Sequence, residues 1–310
     1  MNRLRWITSV LLSPFIRERS IPLVRPNRID WNPSLSPQTI EVKGHTIFYI
    51  VKGEGEPLLL VHGYGAGFWV WEKQIDILSH SYRVYALDLL GHGFSDRPKI
   101  DYRPETYIHF FRDFMDGVGI ERATLIGNSM GGGIAWAMAA LFPERVKRLI
   151  LINCVPPDVL KQVRNESFRM LAAVKDIPLL SYFVIASRNK NSIKAILKEC
   201  VSDIRLITPE IVIRQYQLSR IRGTTWVLYS TLKNARDTSK MVDYFSRINH
   251  PALLIWGERD LIFPVSVGEN LHQAIQGSKL FVIEKSGHIP MWETPEVANQ
   301  AILDFLKQSA

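Results

Sequence analysis

Ser129 is the residue whose surroundings most clearly predict chemistry. It stands in Gly127-Asn128-Ser129-Met130-Gly131, which has the pattern G-x-S-x-G, after an apolar run and before the small-residue stretch Gly131–Leu141. This context predicts a sharp turn from a strand into a helix, with glycine on both sides because the serine backbone is strained and its neighbours lie close. Such a turn raises the hydroxyl to the carboxyl end of the sheet, where the helix N-terminus favours developing negative charge.

A series of buried strands is expected to position this turn. Thr39–Val42 and Thr46–Lys52 predict two strands joined by a turn at Lys43-Gly44-His45. Six apolar runs follow in order: Leu58–His62, Arg83–Leu87, Ala123–Gly127, Arg148–Asn153, Ala252–Trp256 and Lys279–Ile283. Because helix-length stretches separate these runs, they predict a parallel sheet covered on both faces.

Residues 155–250 interrupt this alternation, since they contain no comparable apolar strand. They hold amphipathic stretches such as Val159–Val174 and Ser192–Cys200, which predict helices. The chain ends in a predicted helix, Thr294–Lys307, with Thr294 at its N-cap. The predicted organisation is an arm and linker (1–38), a core (39–154 and 251–310) and an inserted helical cap (155–250).

Four more segments carry a resemblance to a known family. They are His62-Gly63-Tyr64-Gly65, Asp88–Ser95 (D-x-x-G-x-G-x-S), Trp256–Pro264 and Gly287–Glu293. Together with the serine turn, and from about Thr39 to the end of the chain, they resemble the α/β-hydrolase fold family, in which the triad order is Ser, Asp, His. The resemblance implies an α/β fold with a mostly parallel, eight-stranded sheet, flanking helices and a helical cap. It implies no metal and no organic cofactor.

The resemblance also assigns roles to particular residues. Ser129 would be the nucleophile, which is weak until a base accepts its proton. His288 would be that base and later the acid, and Asp260 would hold its tautomer and stabilise the imidazolium. The backbone N–H groups of Tyr64 and Met130 would form the oxyanion hole.

Other histidines compete with His288 for the role of base. Of the eight histidines, His288 alone follows the final predicted strand and precedes the closing helix. His62 is the nearest competitor, but in the resemblance it shapes the oxyanion loop. His92 is expected to be structural. A buried structural serine remains the alternative interpretation of Ser129.

Other carboxylates compete with Asp260 for the role of acid. Asp88 precedes a turn and is expected to hold the Gly91–Ser95 loop through hydrogen bonds. Glu258 is two residues from Asp260. Some relatives place the acid after the strand that here ends near Asn153, but no carboxylate follows until Asp158.

Serine at position 129 argues against two related activities, dehalogenation and epoxide hydrolysis, because those relatives carry aspartate at the turn. The reaction expected is acyl transfer from a small-molecule ester, thioester or lactone to water. Gly-Asn-Ser-Met-Gly-Gly also resembles the carbon–carbon hydrolases of ring-fission products, although Ile289 stands where those usually carry Trp. A third hypothesis is a ligand receptor that keeps the triad.

The cap is expected to cover Ser129 and to favour apolar acyl or aryl esters. Its apolar residues could line an acyl pocket or pack the cap's own helices. The residues in question are Phe168, Met170, Leu171, Leu179, Leu180, Phe183, Trp226, Leu228 and Tyr229.

Charge is unevenly distributed along the chain. The 310 residues carry a net charge of +8. Residues 1–28 hold six Arg and one Glu, and residues 155–250 hold 16 basic and 8 acidic side chains, so the remainder has a net charge of −5. A basic arm and a basic cap favour an anionic membrane leaflet as a neighbour. Nucleic acid is not expected, because the chain lacks the known recognition motifs.

The N-terminus and the cysteines bear on location. The short apolar stretch near the start is interrupted by Pro14 and lacks a cleavage site, so it predicts neither a signal peptide nor a membrane span. Trp6, Ile7, Val10 and Leu11 could share one face of a membrane-surface helix; a helix packed on the body or an unstructured arm are the alternatives. Two isolated cysteines, Cys154 and Cys200, favour a reducing compartment. We therefore expect a cytoplasmic protein with peripheral membrane contact through residues 1–28 and the cap.

Overall fold

The computed structural model describes residues 35–174 and 176–309, without the side chains of 236–240. The arm predicted over residues 1–28, with its membrane-surface helix, lies outside the described residues. Within the described ranges, no helix is both long enough and apolar enough to cross a bilayer.

Eight strands form one sheet. In chain order they are β1 (Pro37–Val42), β2 (His45–Lys52), β3 (Pro57–Val61), β4 (Arg83–Leu87), β5 (Ala123–Asn128), β6 (Val146–Ile152), β7 (Ala252–Gly257) and β8 (Lys279–Ile283). Their spatial order is β1-β2-β4-β3-β5-β6-β7-β8, and β2 runs antiparallel to both of its neighbours while all other pairs are parallel. The predicted fold class, a mostly parallel eight-stranded sheet flanked by helices, is confirmed.

Helices surround the sheet and form the cap. Within the described ranges they are α1 (Glu72–Leu78), α2 (Pro104–Gly117), α3 (Met130–Leu141), α4 (Val159–Gln162), α5 (Glu166–Val174), α6 (Pro178–Ala186), α7 (Lys190–Glu199), α8 (Pro209–Ser219), α9 (Thr224–Asn234), α10 (Val265–Ala274), α11 (Pro290–Glu293) and α12 (Pro295–Gln308). Short 3-10 helices add Phe68–Trp71, Pro143–Arg145, Ile204–Leu206 and Ala235–Arg247.

The apolar strands bury both faces of the sheet in separate cores. Leu59 and Val61 of β3 face one core, whereas Leu58 and Leu60 face the other, as the two-residue period of a strand requires. Helices α2, α3 and α10 cover the first face, and α1, α11 and α12 cover the second. Both cores include side chains of the cap. The cap therefore packs against the core on each face of the sheet.

The predicted cap helix Val159–Val174 is wrong in one respect, because it is broken between α4 and α5. Val163 has extended backbone angles, and the Arg164 N–H donates to the Ile262 carbonyl at 3.0 Å. The Asn165 side chain then donates to the Glu199 carboxylate. These contacts with other segments replace the helical hydrogen bonds that the local pattern favoured.

The closing helix α12 begins at Pro295, as expected, with Thr294 in the N-cap position. The Thr294 side chain makes no capping bond to α12, and its hydroxyl donates to the Pro290 carbonyl at 3.1 Å. That bond ties α12 to α11, the short helix that follows the histidine loop.

Candidate active site

Ser129 lies between β5 and α3 in a strained backbone conformation, with φ 53° and ψ −120°. Positive φ is uncommon outside glycine and concentrates at functional sites. The flanking glycines are required by space, because a Cβ at Gly127 would overlap the backbone of Gly131, and one at Gly131 would overlap the Val61 carbonyl. The structure therefore contains the sharp strand-to-helix turn that the G-x-S-x-G pattern predicted.

Asp260 and His288 form a buried pair. Asp260 follows β7 and His288 follows β8, so adjacent parallel strands bring the two side chains together. The His288 Nδ1–H donates to Asp260 Oδ2 at 2.8 Å, and the two residues are 4% and 7% exposed. With its proton held on Nδ1, the imidazole presents Nε2 as a base.

The Asp260 carboxylate is also held from its other sides. Its Oδ1 accepts the backbone N–H of Ile262 at 2.7 Å, and its Oδ2 accepts the Asn153 side-chain amide at 2.6 Å. Asn153 is fully buried at the end of β6, with φ 42°, and its own Oδ1 accepts the Gly257 N–H at 3.2 Å. From the sequence, this strand end was considered only as a place for the acid, and the hydrogen bond from Asn153 to Asp260 was not predicted. The available signal was a polar residue at the carboxyl end of a buried strand.

Ser129 and His288 line the same cavity. The Asn128 side chain links their two segments, because its amide donates to the backbone carbonyls of His288 (3.0 Å) and Ile152 (3.1 Å). Among the described residues, no hydrogen bond joins the Ser129 hydroxyl to His288. Such bonds commonly form only when substrate is bound.

The backbone N–H groups of Tyr64 and Met130 lie on the two segments that flank Ser129. Met130 is the first residue of α3, so its N–H has no partner within that helix. The loop preceding Tyr64 touches the serine, since a Cβ at Gly63 would come within 3.0 Å of Ser129 Cβ. The Tyr64 hydroxyl donates to the Leu228 carbonyl at 2.8 Å and thereby fastens this loop to the cap.

His62, the nearest competitor of His288, is engaged through both ring nitrogens. Its Nε2 accepts the Leu89 N–H at 3.0 Å, so its Nδ1 carries the proton and donates to the Gly63 carbonyl at 2.8 Å. Burial lowers the pKa of His62 to about 4, because a charged imidazole would lose its hydration. His62 is thus a neutral brace of the loop that carries Tyr64.

The competing carboxylates are likewise engaged away from His288. Asp88 is fully buried and accepts the N–H groups of Phe68 (2.7 Å) and Phe94 (2.8 Å), which holds the Gly91–Ser95 loop as predicted. Burial raises the pKa of Asp88 to about 6, opposed by these two hydrogen bonds. Glu258 accepts the Lys285 N–H at 2.9 Å near the surface.

Glu293 joins the histidine loop to the cap. Its Oε2 accepts the Gly287 N–H at 2.7 Å, and its Oε1 accepts the N–H groups of Ser202 (2.8 Å) and Asp203 (2.6 Å). Beside it, the His288 N–H donates to the Cys200 carbonyl at 2.9 Å. Two segments far apart in sequence are therefore held together next to the candidate base, and sequence reasoning did not predict this contact.

The cavity above Ser129 has a volume of about 350 Å³ and a largely apolar lining. Phe168, Met170, Leu171 and Leu228 line it, as expected for an acyl pocket. The other five cap residues named from the sequence do not line the cavity. Leu179, Leu180 and Phe183 face outward, Trp226 donates to the Ile100 carbonyl, and Tyr229 packs against the rings of Tyr182 and Trp226.

The cations that line the cavity are Arg97 and Arg188, and its described lining contains no Asp, Glu or Lys. Both guanidinium groups are engaged within the protein. Arg97 donates to Thr224 Oγ1 and to the carbonyls of Ser95 and Gly93. Arg188 donates to Thr225 Oγ1 and to the carbonyls of Ile185 and Ser219. In the described part of the chain, no cluster of three metal-ligating side chains occurs.

The eight-stranded sheet, the strained serine turn and the cavity together point to one fold family. Comparison of the chain with known families identifies the same one. A family model described as the α/β hydrolase fold matches residues 56–295. This chain belongs to the α/β hydrolase fold family.

Three similar proteins indicate the range of activities near this chain. It is 32% identical over 274 residues to a 2-hydroxy-6-oxononadienedioate/2-hydroxy-6-oxononatrienedioate hydrolase of Paraburkholderia phymatum, covering 84% of this chain and 91% of that protein. The structure of a meta-cleavage product hydrolase from Pseudomonas fluorescens IP01 is similar with a TM-score of 0.76 at 26% identity, covering 90% of this chain and 100% of that one. A membrane phospholipase A, described as a bacterial virulence factor, is similar with a TM-score of 0.72 at 28% identity, covering 89% and 86%. The family and these relatives support a hydrolase.

Proposed function

We propose that this protein is a serine hydrolase that cleaves carboxylic esters through an acyl-enzyme and prefers apolar acyl or aryl substrates. One observation carries the proposal: the strained Ser129 turn and His288, which the buried Asp260 holds, open onto the same apolar cavity. A nucleophile, an oriented base and an apolar cavity for the acyl group are the parts that this acyl transfer needs.

The reaction would proceed in two steps. In the first, Ser129 Oγ attacks the carbonyl carbon while His288 Nε2 takes the hydroxyl proton; the bond to the alcohol oxygen then breaks, and the alcohol leaves with that proton. In the second, water attacks the acyl-serine with His288 again as base, which releases the acid and restores Ser129. The N–H groups of Tyr64 and Met130 would bind the oxyanion in both steps, and each such donor is worth about 3–4 kcal/mol.

The lining of the cavity supports an apolar substrate. A dicarboxylate, such as the substrate named for the Paraburkholderia relative, is bound most strongly by cationic partners. Here the two cations of the lining, Arg97 and Arg188, each already donate three hydrogen bonds to oxygens of the protein, so a carboxylate would compete with these bonds. The similar membrane phospholipase A is, by its name, an enzyme of lipid esters.

A series of p-nitrophenyl esters of increasing acyl length tests the proposal. We expect hydrolysis with an optimum chain length, a burst of p-nitrophenol in the first turnover, and a fall in kcat of about four orders of magnitude or more in Ser129→Ala. Absence of hydrolysis at every chain length, or activity that survives in Ser129→Ala, would contradict it. Binding of an ester without turnover would favour the receptor hypothesis instead.

Carbon–carbon hydrolysis of ring-fission dienols is the second candidate. The names of two similar proteins and the Gly-Asn-Ser-Met-Gly-Gly turn favour it, whereas Ile289 departs from the Trp usual in those enzymes. Measuring kcat/KM for a ring-fission dienol beside the ester series decides between the two. A higher value for the dienol than for every ester would replace the ester proposal.

A further inference from the structure

Helix α6 of the cap, which packs against α5, is apolar on its outer side. We call the four large apolar residues exposed on and just before α6 the outer patch: Ile177, Leu179, Leu180 and Phe183. Leu179 is 73% exposed, Ile177 53% and Phe183 49%. All four lie between positions 177 and 183 of the chain.

The opposite side of α6 lines the cavity, as does part of α5. Phe168 and Leu171 of α5, with Val184 and Ile185 of α6, contribute to its wall. A helix that lies between a core and water normally presents polar residues to the water. Because α6 is apolar on both sides, packing among the described residues does not account for its outer side, and an exposed patch of this kind marks a site of interaction.

Exposed basic side chains outnumber exposed acidic ones in the segment that holds the outer patch. They are Lys161, Arg164, Arg169 and Lys190, against Glu166 and Asp176. Across the whole cap, residues 155–250 carry 16 basic and 8 acidic side chains. An apolar surface bordered by lysine and arginine is complementary to an anionic bilayer, where the apolar side chains enter the interface and the cations meet the headgroups.

We propose that the outer patch is a docking surface for an anionic lipid bilayer. A second copy of this chain fits less well, because pairing two such surfaces would bring two caps of excess positive charge together. Docking would place the bilayer against the outer side of α6, whose inner side lines the same cavity as Ser129. Delivery of a lipid ester to the cavity rests on the proposed function, but docking itself does not.

Co-sedimentation of the full chain with vesicles tests the inference. The probes are vesicles of phosphatidylcholine alone and of equal parts phosphatidylcholine and phosphatidylglycerol. The variant Leu179→Gln/Phe183→Gln changes two outer residues that do not line the cavity. Its matched control, Ile204→Gln/Val242→Gln, changes two cap residues that are 52% and 51% exposed elsewhere.

We expect the full chain to bind the anionic vesicles more tightly, and the outer-patch variant to lose about tenfold in partitioning while the control keeps it. Hydrolysis of a short soluble ester should be equal in all three proteins. Equal vesicle binding by the outer-patch variant and the control would overturn the inference. So would an outer-patch variant that binds vesicles normally and differs from the wild-type protein only by a loss of self-association in sedimentation velocity. Vesicle binding as expected, together with no Ser129-dependent hydrolysis, would refute the proposed function and leave the docking surface standing.

Discussion

Ser129 is held in its strained conformation by its immediate neighbours. Its N–H donates to the Ile152 carbonyl at 3.0 Å, and its carbonyl accepts the N–H groups of Gly133 (3.1 Å) and Val155 (3.0 Å). A positive φ at a residue other than glycine costs of the order of 1–3 kcal/mol, which these three bonds offset. The hydroxyl is therefore presented to the cavity by backbone contacts that substitution of the serine side chain leaves in place.

Asn153→Ala tests how much the buried hydrogen bond from Asn153 to Asp260 contributes to catalysis. The change removes the amide that donates to Asp260 Oδ2, and a hydrogen bond to a charged group is worth about 1.5–3 kcal/mol. We expect kcat of ester hydrolysis to fall about 10- to 100-fold with little change in KM, because the amide orients the acid and does not touch substrate. Kinetics of Asn153→Ala beside Asn165→Ala, a buried cap asparagine that does not contact Asp260, would show this. Equal kcat in Asn153→Ala and the wild-type protein would contradict the assignment.

The lowered pKa of His62 predicts that the free energy of unfolding depends on pH. Its pKa is lowered to about 4 in the folded protein, against about 6.5 when unfolded, so the unfolded chain binds the extra proton first. As the pH falls from 6.5 to 4, protonation of His62 in the unfolded chain lowers the free energy of unfolding by about 3 kcal/mol. Above pH 6.5 this loss is absent. Denaturant unfolding between pH 7 and pH 4 should therefore show a smaller loss of stability in His62→Gln than in the wild-type protein. Burial also lowers the pKa of His92, so some slope should remain. Identical slopes would refute the role given to His62.

At the scale of elements, the loops at the carboxyl ends of the strands converge and are tied to one another. The loops after β5, β6, β7 and β8 supply Ser129, Asn153, Asp260 and His288. The cap joins the same cluster through Glu293 and through the Cys200 carbonyl. Because the cap and the histidine loop share a half-buried support in Glu293, displacement of the cap would disturb the orientation of His288.

Glu293→Ala tests this coupling. Loss of three charge-assisted hydrogen bonds should lower kcat about tenfold or more, measured at a temperature where circular dichroism shows the variant fully folded. Glu293→Gln keeps one acceptor oxygen and should recover part of the activity. Glu296→Ala, at a neighbouring exposed glutamate, is the control. A Glu293→Ala protein with a lower Tm but wild-type kcat would limit Glu293 to a structural role.

The central strands β3 to β7 were predictable from sequence because their burial leaves continuous apolar runs, and the observed ends of all eight strands lie within a few residues of the predicted ones. β8 was predicted as a buried strand, but it lies at the edge of the sheet, where Phe281 and Val282 are exposed. The broken helix between α4 and α5 was not predictable, since the break depends on the contact of Arg164 with Ile262, which is distant in sequence. The exposure of apolar residues on the outer side of α6 was not predicted either. Its residues have the composition of a core helix, and sequence alone does not show which side lacks a partner.

For the whole molecule, the candidate site lies at the carboxyl edge of the sheet, beneath the cap. The order of motifs and the family resemblance pointed to Ser129, Asp260 and His288, and the structure brings the last two into contact and all three near one cavity. The supporting roles of Asn153 and Glu293 were not predicted, although Glu293 ends the Gly287–Glu293 segment that carried the resemblance. These roles depend on partners distant in the chain, 107 positions away for Asn153 and 91 for Glu293.

Covalent labelling of Ser129 tests the central claim most directly. The full chain is treated with a p-nitrophenyl alkylphosphonate, which transfers its phosphonyl group to an activated serine and releases p-nitrophenol. We predict one equivalent of p-nitrophenol per chain, a single adduct by intact mass, and peptide mapping of that adduct to Ser129, with no adduct in Ser129→Ala. An adduct on another residue, or equal labelling of Ser129→Ala, would contradict the assignment of Ser129 as the nucleophile.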